Sequence, residues 1–309
     1  MGAWNDFTSR LHISFSTNGL IHSTDYREIT EDFISAAVGN TKLKCIQVDE
    51  MLPDEAFQKI DRIIASRPDI AFRVLGLYGG KFFDWSILKR MPHLQRLQLD
   101  AHLVNHPDLV DCSVLCEIPS LRALHLNLFN LKDYSFLQGL PAEMEDVSIF
   151  ADGLKGSVIF DCKWLLAYPN IHTLYLGKNA KKNIKEIAKL PNLKRLSLRG
   201  IKLPDLDFLR PVGLDSFSLL WCGMNDLSSL VDFDTLKELE LWRILKLEDI
   251  TFVSSLRNLE VLKLQDLNRI TALPDLSQLN NLRKIVLMNM PIDEESVAPE
   301  LRKLITHRD

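Results

Sequence analysis

Leu193-Lys194-Arg195-Leu196-Ser197-Leu198 is the stretch that decides how this chain is read. The same Leu-x-x-Leu-x-Leu spacing returns at Leu214 (Phe217, Leu219), Leu236 (Leu239, Leu241), Leu259 (Leu262, Leu264) and Leu282 (Ile285, Leu287). The start-to-start steps are 21, 22, 23 and 23 residues. A fixed step of this size marks a stack of like units, each too small to bury its own apolar face, so that neighbours supply the missing core.

Working back toward the N-terminus, starts fall at Ile171, Met144, Leu121, Leu94, Phe72 (Leu75, Leu77) and Leu43 (Ile46, Val48), which makes eleven strand-like cores in all. The longer steps put extra residues at 101–118 and 151–168, and such insertions map to loops on one face of a stack. After the first core, Pro53 opens a helix with Phe57, Ile60 and Ile64 on one side, and Pro68 ends it.

A stack exposes an apolar cross-section wherever it stops, so both ends need covers. Residues 7 to 24 read as a hairpin: Leu11, Ile13 and Phe15 alternate with polar residues, and Asn18-Gly19 supplies the turn. Asp25 and Glu28 then read as a capping box, with Tyr26, Ile29 and Phe33 at helical spacing up to Gly39. At the other end Val297, Leu301, Leu304 and Ile305 also have helical spacing. The expected organisation is one domain over 1–309, with an N-terminal cap at 1–42, eleven repeats at 43–292 and a C-terminal cap at 293–309.

At this point the chain resembles a leucine-rich repeat protein, over residues 43 to 292. Leu121, Leu124, Leu126 and Leu131 match the family's apolar positions, as do Leu214, Phe217, Leu219, Cys222 and Met224. The short segments Pro204-Asp205-Leu206-Asp207-Phe208-Leu209 and Asp226-Leu227-Ser228-Ser229-Leu230 are similar to those of the 22-residue class, found in internalins and phosphatase-regulatory proteins. The resemblance implies an α/β solenoid, a curved horseshoe with a parallel concave β-sheet and short 3₁₀ turns on the outside. One position departs from the family pattern. The ninth holds the usual Asn or Cys only at Asn179 and Cys222, and is Phe129, Ile201, Ile244, Leu267 or Met290 elsewhere, so backbone or water must satisfy the loop polar groups there.

Composition bounds the chemistry. A net charge of -4 with a pI near 6.1 gives no general basic bias, so no nucleic-acid partner is expected. Five scattered cysteines fit a reducing compartment, and Cys112 with Cys116 lacks the second pair a zinc site would need. The N-terminus has no apolar signal core, Asp6 departs from the myristoylation motif, and no run is long enough to span a bilayer. A cytoplasmic protein with no membrane contact, no cofactor and no metal is expected, and its oligomeric state is left open.

In such a repeat, positions 3, 5 and 7 face outward from the sheet. The candidate protein-binding surface on the concave face is therefore Tyr78, Asp100, His125, Asp146, Phe150, Tyr175, Arg195, Arg199, Glu238, Glu240, Trp242, Lys263 and Lys284, with Trp221 and Arg243 one residue beyond on the same edge. Acids lead in the early part (Asp49, Asp100, Asp146) and bases in the later part. Aromatic and Arg side chains on a preformed surface are the types that dominate protein interfaces.

Nothing assembles a catalytic set: there is no His-Glu-x-x-His, no Gly-x-Ser-x-Gly and no phosphate-cradling Gly-rich loop. Glu238 and Glu240 share a face but read as a solvated or partner-facing acidic patch rather than an acid-base pair. The expected function is thus a non-catalytic module that grips a protein. Its sharper form is a stand-alone inhibitor or immunity protein covering a toxin or enzyme, and its alternative a scaffold or adaptor subunit of the ubiquitin-ligase type. Leu52-Pro53-Asp54-Glu55 resembles the start of an F-box, but strands at Leu43 and Phe72 leave no room for that module.

Overall fold

The computed structural model describes residues 9–15, 23–77, 82–293, 295 and 297–306. The chain divides into two compact units, residues 1–160 and 161–309.

In the first unit the strands are β1 (Arg10–Ser14), β2 (Ser23–Asp25), β3 (Cys45–Val48), β4 (Ala71–Leu77), β5 (Arg96–His102), β6 (Ala123–Phe129) and β7 (Asp146–Ile149). They run in the spatial order β2-β1-β3-β4-β5-β6-β7, and every described pairing is parallel. In the second unit β8 (Thr173–Gly177), β9 (Arg195–Arg199), β10 (Ser216–Leu220), β11 (Glu238–Trp242), β12 (Val261–Gln265), β13 (Lys284–Met288) and β14 (Ile305–Thr306) lie side by side in chain order, again all parallel. All eleven expected cores are strands.

The register explains why the pattern folds this way. Leu196 pairs with Phe217, Phe217 with Leu239, Leu239 with Leu262 and Leu262 with Ile285, so one apolar row runs through the stack. These residues and the sixth-position row beside them are at most 5% exposed. Behind the sheet the chain returns through 3₁₀ turns such as Asp207–Val212, Ser228–Leu230 and Thr251–Ser255, as the resemblance implied. An Asp carboxylate opens turn after turn by accepting a backbone N–H two residues on. Asp84 accepts from Ser86, Asp111 from Ser113, Asp133 from Ser135, Asp226 from Ser228, Asp249 from Thr251 and Asp275 from Ser277, at 2.7–3.0 Å. The Asp side chain thereby mimics a backbone turn. Asp-x-Ser/Thr recurring in the return segment, 10 or 11 residues before the next start in all of these but Asp275, is a signal the leucine pattern obscures.

Each of the strands β8 to β13 leaves the sheet through a left-handed residue at the eighth position: Lys178, Gly200, Trp221, Arg243, Asp266 and Asn289, with φ between 36° and 66°. That conformation turns the ninth side chain back into the core and aims the eighth N–H at the next repeat. Gly200 N donates to Leu220 O (2.8 Å), Trp221 N to Trp242 O (2.7 Å), Arg243 N to Gln265 O (2.9 Å) and Asp266 N to Met288 O (3.0 Å). Backbone therefore satisfies backbone where Ile201, Ile244 and Leu267, all buried, stand in place of Asn. Cys222, the family-like residue, points its thiol at Leu198 O at 3.4 Å.

Four expectations are corrected. The N-terminal hairpin is not one: β1 pairs parallel with both β2 and β3, because Leu11 and Ile13 extend the buried row of the repeat sheet; the expected turn at Asn18-Gly19 lies outside the described residues. Asp25 caps a 3₁₀ turn by accepting from Arg27 N, and the helix proper, α1 (Glu31–Gly39), is capped by Thr30. The C-terminal segment forms only a short helix, α3 (Pro299–Arg302), and Ile305 enters β14 rather than continuing that helix, since its pairing with Ile285 extends the sheet.

The fourth correction concerns register. Phe72 pairs with Ile46 and Leu97, which are fourth-position residues, so it is not a repeat start. Arg73 and Leu75 face outward in this repeat, Val74 is buried, and Gly76 (φ 68°) marks a bulge. The Pro53 reading stands: α2 (Asp54–Ser66) buries Phe57, Ile60 and Ile64.

Candidate protein-binding face

The outward row of the first unit is a set of satisfied pairs. Asp100, expected as an exposed acid, is 7% exposed. It accepts from Arg73 Nε at 2.7 Å and from Asn127 Nδ2 at 3.0 Å. Missing Arg73 in the misphased repeat is what made Asp100 look free. Asp146 pairs with Arg96 at 2.8 Å, so neither Asp100 nor Asp146 stands as an uncompensated acid, and Asp49 lies 3.0 Å from the His12 ring nitrogen. The His125 ring lies edge-on to Phe150 at 4.9 Å, and His102 stacks on Phe129 at 4.6 Å. Burial pulls the His125 pKa down, with Arg73 acting in the same sense and the Asp100 charge opposing. Tyr78 lies outside the described residues.

The second unit is different. Trp221 is 44% exposed and stands on the C-terminal edge of the sheet. The Arg199 guanidinium, from the repeat before, sits 5.5 Å from its ring centre, and Arg243, from the repeat after, sits 5.0 Å from it. Trp242 meets Trp221 edge-to-face at 5.6 Å and 89°. Trp242 is itself fixed: its Nε1–H donates to Asp266 Oδ2 at 2.8 Å, and Asn289 Nδ2 holds the other oxygen at 2.6 Å. These hydrogen bonds, Asn289 first, hold the Asp266 carboxyl below the usual carboxylate range. The strand register thus gathers residues separated by up to 44 positions into one aromatic and cationic group.

The remaining second-unit candidates also lie on the outward rows. Tyr175 is half-buried, Arg195 donates to Thr173 Oγ1 at 3.2 Å, and Glu240 accepts from Ser218 Oγ at 3.0 Å. Glu238 and Lys284 are exposed and Lys263 half-buried. Glu238 shares a shallow cleft at the opposite, N-terminal edge of the strands with His172, Lys194, Arg195, Asp215 and Lys237. The structure does not bring it to the Trp221 group.

Among the described residues no group of three or more His, Cys, Asp or Glu could hold a metal ion, and no helix is long and apolar enough to cross a membrane. Burial pushes the Cys112 and Cys162 thiols up to about 12, which leaves them protonated and weakly nucleophilic at neutral pH. The Trp221 group was only half legible beforehand. Its residues were named, but the left-handed backbone at Trp221 and Arg243 and the Asp266 anchor have no counterpart in the leucine pattern.

No protein-family model matches the chain, and no curated protein matches it in sequence. Among solved structures, the chain is similar to an internalin (inlF) of Listeria monocytogenes, with 17% identity over 90% of this chain and 82% of that one at a TM-score of 0.49. A second internalin (inlC2) of the same organism shares 22% identity over 67% of this chain and 85% of its own, at 0.46. A TLR13 chain solved in complex with ssRNA13 shares 16% identity over 92% of this chain and 55% of its own, at 0.42. The Leu-x-x-Leu-x-Leu row carried in register from strand to strand, the left-handed eighth position and the 3₁₀ return give this chain the leucine-rich repeat fold.

Proposed function

We propose that the chain is a non-catalytic protein-binding module whose partner docks on the outward face of the second unit, against the edge that carries Trp221 and Trp242. The observation that carries this reading is the preorganised group of two tryptophans and two arginines. Large aromatic and guanidinium side chains fixed before binding lose little rotamer freedom on docking, which is the usual character of an interface hot spot. In its finer form, binding inhibits the partner, a toxin or enzyme, because a rigid face occludes whatever surface it covers.

The test is affinity capture with the purified chain as bait beside a Trp242→Ala/Arg199→Ala bait. One stoichiometric protein retained by the first and lost by the second is the expected result. Assay of that protein free and bound then separates an inhibitor from an adaptor. A partner retained equally by both baits removes the second unit's face from the interface.

A further inference from the structure

The chemistry of the partner is also written on this edge. We propose that Arg199, Trp221 and Arg243 form a recognition site for an acidic peptide segment, whose carboxylates the two guanidiniums receive while Trp221 and Trp242 pack against its apolar atoms. This rests on the protein-binding reading above and specifies its ligand.

Three observations carry it. The first is local charge: Lys178, next to the Gly177–Arg199 pairing and against Gly200, and Lys202, against Gly223, stand at the same C-terminal strand ends as Arg199, in a chain whose net charge is -4. Arg199 therefore stands in a positive region that steers an anionic partner toward it.

The second is the state of the neighbouring acid. Asp266 has one oxygen on Asn289 and the other on Trp242, so its carboxylate is committed to holding the indole. Arg243 faces it only as a nearby charge, and guanidinium geometry suits a bidentate carboxylate.

The third is backbone. The eighth position tolerates Gly, Asn or Asp well, as at Gly200, Asp266 and Asn289, yet Lys178, Trp221 and Arg243 hold it at φ 36°, 56° and 54°. Left-handed backbone under bulky side chains is strained, and strain retained at one place in a repeat points to use. The Trp221 ring already carries guanidiniums from the repeats on either side, so a nucleic-acid base would have to displace one of them to stack. That favours a peptide over a single-stranded nucleic acid.

The experiment titrates the full chain with poly-L-glutamate, poly-L-lysine and a single-stranded oligouridylate at low and moderate salt. It reads tryptophan fluorescence and the anisotropy of labelled probe. Arg199→Gln/Arg243→Gln is compared with Lys185→Gln/Lys189→Gln, which removes the same charge from a 3₁₀ turn of the second unit; circular dichroism confirms both are folded. The expected result is poly-L-glutamate binding weakened at least about tenfold by the arginine pair and less than about threefold by the lysine pair. Equal loss in both variants, tighter binding of oligouridylate, or no binding of poly-L-glutamate at low salt overturns the proposal. A partner captured through Trp242 and Arg199 whose affinity ignores Arg199→Gln/Arg243→Gln would leave the protein-binding reading standing and sink this one.

Discussion

Arg73→Leu tests the buried charge network of the first unit most sharply. Arg73 Nε meets Asp100 Oδ2 at 2.7 Å, with the two side chains only 17% and 8% exposed, so little solvent screens the pair. Removing one partner from a buried pair costs about 3–5 kcal/mol, because the other charge is left without compensation. Asn127 Nδ2 still donates to Asp100 at 3.0 Å, which places the expected loss near the lower limit, about 3 kcal/mol. Replacing both charges, as Arg73→Leu/Asp100→Leu, removes the stranded carboxylate and should cost about 1–2 kcal/mol, since apolar replacements of a buried pair are near neutral and only packing is disturbed. Hydrogen exchange read on peptides covering 71–77, 96–102 and 123–129 is the suitable assay, because repeat arrays need not unfold as one step. The single variant should lose protection there and the double variant recover part of it. Additive effects, or no loss in Arg73→Leu, would refute the claim that these charges are satisfied structurally rather than held for a partner.

Other outcomes follow from the same geometry. His125 has a pKa lowered by burial, so its neutral form is favoured in the folded state. Its stability contribution is fully present above the unfolded value near about 6.5 and is lost as pH falls through the folded pKa. Thermal melts from pH 7.5 to 5 should therefore fall, and His125→Gln should flatten the slope; an unchanged slope would contradict the burial argument. Trp242→Phe keeps the ring but loses the bond to Asp266, which should cost about 1 kcal/mol after allowance for exposure and loosen Trp221, seen as a red-shifted emission. Gly200→Val forces a β-branched residue into φ 66° and should destabilise the second unit by about 1–2 kcal/mol in urea melts; a neutral effect would argue against the backbone ladder. Cys162 should resist a thiol reagent at pH 7.5 until the chain is denatured, and fast native labelling would contradict its burial.

Leucine spacing carried most of the fold because burial enforces it: Leu196, Phe217, Leu239 and Leu262 must align for the stack to close its core. It failed where two phases were equally apolar. Phe72, Leu75 and Leu77 imitate the repeat spacing, while the true fourth and sixth positions are Phe72 and Val74, and only pairing to Ile46 and Leu97 separates the two. That slip hid Arg73 and made Asp100 look like an open acid. The hairpin failed for a related reason. Alternation at Leu11 and Ile13 announces a strand but not its direction, which the sheet edge decides. In the second unit the outward rows were legible from position alone, because the pleat assigns faces by counting. The assembly of Arg199, Trp221, Trp242 and Arg243 was not, because it depends on a left-handed backbone and on an Asp266 anchor one repeat away.

The central claim, that a protein docks on the outward face of the second unit, is met most directly by hydrogen exchange of the chain with and without its captured partner. The account predicts slowed exchange confined to residues 195–200, 216–221 and 238–243, with the 3₁₀ turns at Asp207–Val212 and Ser228–Leu230 unchanged. Protection of those turns with the strand edges unaffected would contradict it.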